Sequence, residues 1–394
     1  MKKNLSLITA LLLTAPLFAD NLNDAFANGK VKGEIKSEYS NSNFLGATSS
    51  DDIGVVGGSL GYTTGDFYGF NAGATFQASH VIAEDNDHSI FARDLDASGA
   101  VLSELYLQYK LSNTSAKAGR QFIYTPLIST SINGKSSESV VKDSFEAYLL
   151  TNTDIPDTVI TAGYVDKYQG KTRGNGDIGK FEQYEDGAYT LYVKNSSIEN
   201  LEIQAQYLNI DSIAANKDIQ NYYLQADYKL GNQTLSAQYL LNNNESADDG
   251  QIYGLKATGP LGISNLAYVL AFNSNTKKAD ATIGAGDGTD DTLFTAMPVN
   301  GGGVPARGKT DTLVGGLIVP ILDVTTVAYA GYSWSDEHVL GDVYALGAMA
   351  IYPFYKDFLL KVNYEHVNIE NTIVPAGIED RNTDVARVYL SYNF

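Results

Sequence analysis

The chain ends "ARVYLSYNF" (residues 386–394), and apolar and polar side chains take turns to the last residue. Ala386, Val388, Leu390, Tyr392 and Phe394 share one side; Arg387, Tyr389, Ser391 and Asn393 share the other. A period of two marks a β-strand with one apolar and one polar face. Chain ends are usually frayed and solvated. A terminal strand of this composition must be paired, because an open edge invites aggregation.

The same period recurs upstream. Val31, Ile35 and Tyr39 oppose Lys32, Glu34, Lys36 and Glu38. In "LSELYLQYKL" (102–111), Leu105, Leu107, Tyr109 and Leu111 oppose Glu104, Tyr106, Gln108 and Lys110. In "DFLLKVNYEHV" (357–367), Phe358, Leu360, Val362 and Tyr364 oppose Lys361, Asn363 and Glu365. The pattern predicts roughly 18 strands of about 9 to 13 residues, long enough to cross a bilayer at a tilt. Their spans are 29–40, 53–64, 67–79, 102–111, 114–122, 143–152, 157–168, 184–195, 200–210, 219–230, 233–242, 250–259, 264–273, 310–320, 322–335, 341–352, 356–368 and 384–394. The spans 53–64 and 310–320 alternate least, being rich in glycine.

The connections alternate in length. Tight turns are expected at 64–66, 112–113, 231–232, 260–261 and 320–322, where Gly, Pro, Asn or Asp stand. Long links are expected at 41–52, 80–101, 123–142, 169–183, 211–218, 243–249, 274–309, 336–340 and 369–383. Short turns alternating with long loops suit an up-and-down transmembrane β-barrel, with brief periplasmic turns and longer extracellular loops. An even strand count puts both termini on the periplasmic side, where the last strand can pair with the first and remove the edge. Phe394 and Tyr392 then belong to an aromatic girdle. A soluble sandwich would need apolar side chains on both strand faces, and here one face carries Lys, Glu, Gln and Asp repeatedly.

Composition agrees. "MKK" followed by "LSLITALLLTAPLFA" reads as a cleaved signal peptide over residues 1–19, leaving a short periplasmic segment at 20–28 and the barrel at 29–394. The sequence has no cysteine, 27 Tyr and 37 Gly among 394 residues, so sheet closure rather than disulfides must hold it together. The formal net charge is −19, and loss of Lys2 and Lys3 deepens it to −21, which argues against nucleic acid.

Four segments resemble the outer membrane porin D (OprD-like) family: "AGRQ" (118–121), "TPL" (125–127), "FEAYLLTN" (145–152) and "ITAGYV" (160–165), joined by "LGYTTGDFYGFNAGATF" (60–76). The resemblance implies an 18-stranded barrel, a narrow channel and, in several members, small carboxylate-bearing solutes such as amino acids. It implies also that the third long loop, here 123–142, folds inward and narrows the pore, and that a terminal aromatic is read by the outer-membrane assembly machinery. The family's basic ladder is not reproduced. The polar faces mix Lys32, Lys36, Lys110, Lys117, Lys194, Lys229, Lys256, Lys361 and Arg387 with Glu34, Glu38, Glu104, Glu146, Glu202, Asp227 and Glu365. The overall charge favours cations unless most acids lie far from the constriction.

The residues expected to set selectivity are Lys117, Arg120, Lys135, Glu138, Lys142, Glu146, Lys361 and Arg387. Strict alternation from Ala116 and Ala118 points Arg120 outward, whereas a bulge at Gly119 turns it inward beside the constriction, and a strand-end position sets it among headgroups. The inward placement is expected here. Loop 274–309 carries Arg307 and Lys309 near the pore mouth or the headgroups.

Other motifs read as loop. "GNGDIG" (174–179) fits G-x-G-x-x-G but lacks a flanking buried strand and helix. His80, His88 and His338 fall on loops and His366 near a strand end, without metal-site spacing. "AEDNDH" (83–88) and "GAGDGTDD" (284–291) cluster oxygen ligands that calcium could bridge, although a solvated acidic loop explains them. No cofactor is expected and no catalytic residue.

The expected function is an outer-membrane porin passing ions and small polar solutes. Its expected partners are outer-membrane lipid, lipopolysaccharide and the barrel assembly machinery, as a trimer or a monomer. A plugged barrel serving as surface adhesin or receptor is the alternative; a barrel hydrolase would need a nucleophile and base that are not visible.

Overall fold

A computed structural model describes residues 19–45, 50–85, 95–173, 176–212, 217–244, 248–299, 301–335, 341–370 and 381–394. Eighteen barrel strands run in order among the described residues, apart from two-residue strands in the loops: β1 Lys30–Leu45, β2 Ser50–Thr63, β3 Phe70–Glu84, β4 Ala97–Leu111, β5 Thr114–Gln121, β6 Ser144–Asn152, β7 Thr158–Gln169, β8 Phe181–Ile198, β9 Leu201–Ser212, β10 Lys217–Leu230, β11 Gln233–Asn244, β12 Gly250–Pro260, β13 Ala267–Asn275, β14 Thr310–Ile321, β15 Val324–Ser335, β16 Val343–Tyr355, β17 Phe358–Ile369 and β18 Arg381–Asn393. Each pairs antiparallel with its sequence neighbours. The sheet closes where β18 pairs with β1, from Glu34↔Asn393 to Leu45↔Asn382. Beyond the last paired residues, Gly33 and Phe394 exchange backbone hydrogen bonds of 2.9 and 3.0 Å. The terminal strand is paired to its last residue, as its composition requires.

Alternation sets the faces. Val31, Ile35, Leu105, Leu224, Leu390 and Phe394 are exposed on the outside, while Lys36, Glu38, Lys361, Asn363, Arg387 and Tyr389 are buried inside. An outer surface this apolar is what a barrel presents to hydrocarbon. Outer aromatics gather toward both rims. Tyr148, Tyr164 and Tyr189 line up toward the long-loop rim, with Tyr207–Tyr222 and Tyr239–Tyr253 ring pairs at 5.1 Å beside them. Phe358, Tyr392 and Phe394 stack at the other rim, with centroids 4.5 and 5.8 Å apart.

Several expectations about connections are corrected. Strand pairing reaches into the links expected at 41–52 and 211–218: β1 runs on to Leu45, β2 begins at Ser50, β9 runs on to Ser212 and β10 begins at Lys217, because paired backbone continues through polar residues such as Asn41, Ser42 and Asn209. Beyond the apolar belt a strand needs no apolar side chain to keep its ladder. The turn expected at 320–322 falls at Leu322–Asp323, with Pro320 inside β14. His80 lies in β3 rather than in a link.

Residues 1–18 of the expected leader lie outside the described residues, as do His88, His338, Gly174, Asn175 and residues 86–88 of the first acidic cluster. The segment expected at 20–28 includes a helix, Ala19–Ala27. It docks on the short-turn rim: Ala25 is buried, its carbonyl accepts from the Gly65 N–H at 2.7 Å, and Tyr62 donates to the Phe26 carbonyl. No described helix is long and apolar enough to cross a membrane.

Candidate functional site

Two loops fold into the barrel. The loop between β5 and β6, residues 122–143, carries Ile123, Leu127 and Ile128 into an apolar cluster with Phe145, Ala147, Val165, Leu208, Leu240 and Ile252 of the inner wall. The loop between β13 and β14, residues 276–309, adds Ala281, Ile283, Ala285, Leu293 and Ala306 to the same cluster. Leu127 and Ile128 are at most 1% exposed. Its Met297 and Val304 form a second cluster with Val314, Tyr329, Val343, Ala345 and Val367. The interior at the long-loop end is therefore a packed core, and the loops are held in it by apolar burial.

Polar contacts fix their register. The Gln206 side chain accepts from the Leu127 N–H at 2.8 Å. Gln238 accepts from the Phe294 N–H at 2.8 Å, Asn273 from the Thr295 N–H at 3.0 Å, and Glu365 from the Val299 N–H at 3.2 Å. The two loops also hold each other. Asp143 accepts from the Ser131 N–H at 2.6 Å and the Asp287 N–H at 3.0 Å. Lys171, from the β7–β8 link, reaches the Ser137 carbonyl at 3.2 Å and the Asp287 carboxylate at 3.5 Å.

The tip of loop 122–143 crosses to the wall where the barrel closes. Glu138 Oε1 accepts from Lys36 Nζ at 3.0 Å, and Oε2 accepts from Lys361 Nζ and, at 2.6 Å, from the Gly134 N–H. Lys36 also reaches Asn133 Oδ1 at 3.1 Å and Glu34 at 3.5 Å, and Lys361 Nζ sits 3.7 Å over the Tyr389 ring. Side-chain exposure is 1% for Lys36, 2% for Lys361 and 7% for Glu138. Burial alone would raise the Glu138 carboxyl; the lysine charges and the Gly134 N–H outweigh it and hold it at about 2.

The eight expected residues separate into two groups. Glu138 and Lys361 meet directly, and Arg387 is buried on the inner wall beside them. Lys142 lies in the same electrostatic neighbourhood, facing Lys36, Glu34, Glu138 and Lys32. Lys117 points inward with its Nζ 3.7 Å over the Tyr106 ring, and Lys135 is exposed on the loop tip, close enough for its charge to act on Lys256.

Arg120 and Glu146 are elsewhere. Both β5 ladders pass through Gly119 without a register shift, although its φ is 120°, so strict alternation holds. Arg120 therefore shares the outer face with its partner Leu105 and lies two positions beyond the Ala118–Tyr148 pair, at the strand end. There its Nε is 3.4 Å from Glu146, its guanidinium is 4.2 Å over Phe181, and Lys167 meets Glu146 at 2.8 Å. The expected inward turn is absent because the bulge expected at Gly119 is absent.

Lys36 is the residue missed among the candidates, although it stands on the polar face of β1. The acidic run 284–291 is used for loop contacts: Asp287 meets Lys171, and Asp291 accepts from Ser136 and Ser137. Among the described residues no three acidic or histidine side chains converge as a metal site.

No protein-family model matches the chain, and no curated protein does. Solved structures match over nearly the whole length. Pseudomonas aeruginosa OpdO aligns with a TM-score of 0.74 at 12% identity, over 95% of this chain and 99% of that one. Acinetobacter baumannii OccAB1 gives 0.73 at 14% identity, over 94% and 97%. Pseudomonas aeruginosa OpdK, determined with vanillate, gives 0.72 at 12% identity, over 94% and 99%. In fold the chain is similar to these barrels: an antiparallel barrel closed by 18 strands.

Proposed function

We propose that this protein is an outer-membrane porin, a passive channel for small polar solutes with a preference for carboxylates. The observation that carries the reading is the closed barrel with an apolar outside and an interior narrowed by folded loops. Its termini would be periplasmic and its long loops extracellular. No chemistry is needed, since solutes move down their gradients and selection resides in pore width and wall charge.

The sign of the preference follows from pairing. Glu138 is matched to Lys36 and Lys361, Glu104 to Lys32 at 3.6 Å and Thr75 at 2.7 Å, and Glu202 to Lys194 at 2.8 Å. Lys117 and Lys256 rest instead on aromatic rings, and Lys135 is exposed at the loop tip. These cations share the inner wall with Glu38, Asp227 and Glu365, and it is the lysines resting on rings that favour anions there against the −19 of the whole chain. The vanillate in OpdK, a carboxylate, is consistent with such a solute class.

The test is planar-bilayer recording with reversal potentials under a salt gradient. Discrete open steps with an anion-selective potential are expected, and a cation-selective potential would overturn the solute class. A second reading, a plugged barrel acting as adhesin or receptor, draws on the apolar core that the loops build inside the barrel. Absence of conductance steps would favour it.

A further inference from the structure

The short-turn rim carries large apolar side chains where the backbone favours small residues. Ser112, Asp157, Asn200, Gly231 and Asp357 take left-handed φ at its turns, as residues of that kind readily do. Two turns depart from this. Leu322, between β14 and β15, has φ 53°, and Tyr68, between β2 and β3, has φ 51°. A bulky side chain is sterically disfavoured there. Leu322 is 98% exposed among the described residues, so contacts within the chain do not offset that strain. Ile155, Ile263 and Tyr355, at other connections of the same rim, are exposed too. The helix Ala19–Ala27 adds to them. It rests on the β2–β3 turn through Ala25, while Leu22 and Phe26, one helical turn apart on one side, are exposed. Its end lies on the outer side of the wall, because Tyr62, which donates to the Phe26 carbonyl, pairs across the ladder with the outward Val31.

We propose that the short-turn rim is a lipid-binding collar, whose turn tips and helix insert Tyr68, Ile155, Ile263, Leu322 and Phe26 into the boundary between headgroups and acyl chains of a phospholipid leaflet. Two observations select lipid over a docked protein. The apolar tips are spread around the barrel, from the β2–β3 turn to the β16–β17 turn, whereas a protein partner meets a patch on one side. They also continue the exposed apolar outer face through Leu60, Ile321 and Phe394. A leaflet surrounds the barrel and reaches every tip. Burial of Leu322 in lipid offsets a left-handed turn that water leaves uncompensated. The helix lies flat in the boundary with Leu22 and Phe26 toward the acyl chains, and the hydroxyl of Tyr68 stays among the headgroups. The inference rests on the reading of the protein as a membrane barrel, and one set of labels separates the two.

The chain has no cysteine, so single-cysteine variants take a nitroxide label without background. The full chain is labelled at L322C, I263C and F26C on the rim, at L224C on the outer wall and at K135C on the loop tip. Each is reconstituted in phosphatidylethanolamine and phosphatidylglycerol vesicles. L224C should relax with oxygen rather than with a water-soluble nickel complex, and K135C the reverse. The three rim labels should follow L224C. Nickel access at L224C removes the membrane reading itself. Oxygen access at L224C with rim labels that follow K135C overturns the collar alone. A second variant reads the sign of the turn. L322N suits left-handed backbone better, yet should lower the urea midpoint for unfolding from the vesicles. A midpoint unchanged or raised in L322N shows that leucine is merely tolerated at the turn, and overturns its anchoring role.

Discussion

Asp291 holds the tip of the other loop. Its Oδ1 accepts from Ser136 Oγ at 2.7 Å and the Ser136 N–H at 3.0 Å, and its Oδ2 accepts from Ser137 Oγ at 2.5 Å. Glu138 is the next residue, so Asp291 positions the backbone that presents it to Lys36 and Lys361. Asp291→Ala would leave several donors partly buried, at about 1–3 kcal/mol for a group left unsatisfied. We expect a lower thermal midpoint and noisier open channels, with the barrel still resistant to denaturation by detergent at room temperature. An unchanged midpoint and quiet channels would show that apolar packing alone holds the tip.

The seam itself depends on a glycine. A Cβ on Gly33 would stand 2.2 Å from the Phe394 ring, so no larger residue fits under the terminal aromatic without moving it. Gly33→Val should displace Phe394 from Tyr392 and weaken closure, lowering the folded fraction seen as heat-modifiable mobility on gels. Phe394→Ala in the Gly33→Val background should cost little more, because both changes act on one contact.

This much of the fold was legible because the two-residue period is imposed by the surroundings on both faces. Val31, Leu105 and Leu390 stand exposed on the outer face while Lys36, Glu104 and Arg387 are buried on the inner one, and most strands repeat that contrast. The lumen was less legible because the contrast fails where loops cover the wall. Leu208, Ile210, Leu240 and Ile252 occupy the inward phase, yet they are apolar and buried against loop residues. Adjacent apolar residues such as Leu240 and Leu241 carry the signal, since apolar side chains in both phases mean that both faces are covered. Glu138 was legible as the acid of the constriction loop. Its partner Lys36 was one of many lysines on polar faces, and only the strand register and the loop's path select it.

Arg120 and Lys117 make a paired test of that register. They are three residues apart but face opposite ways. Lys117→Glu or Lys142→Glu should move the reversal potential toward cations, since each reverses a charge beside the passage. Arg120→Ala should leave selectivity unchanged, because its partners Glu146 and Phe181 lie with it on the outer face. Its half-exposed ion pair should cost no more than about 1 kcal/mol of stability. A selectivity change in Arg120→Ala would put the side chain back inside the pore.

Two loop carboxyls give the docked state opposing pH dependences. Glu138 is held down at about 2, so its contribution is complete above the ordinary carboxylate value and is lost as pH falls through 2. Burial, with the Asp287 carboxylate beside it, pushes Asp143 up to about 7, although Lys171 and the Ser131 and Asp287 N–H groups pull the other way. A raised acid stabilises most below its unfolded value of 3.8, and that stability is lost as pH rises through 7. Docking should thus be strongest near pH 4 and decline on both sides, by up to about 1.4 kcal/mol per pH unit for each group. Thermal midpoints between pH 2 and 8 check this. Glu138→Gln should flatten the acid limb alone. Asp143→Asn, which keeps one carbonyl acceptor, should flatten the neutral limb alone, and a midpoint that instead rises steadily from pH 4 to 7 would show that Asp143 stays ionised in the folded protein.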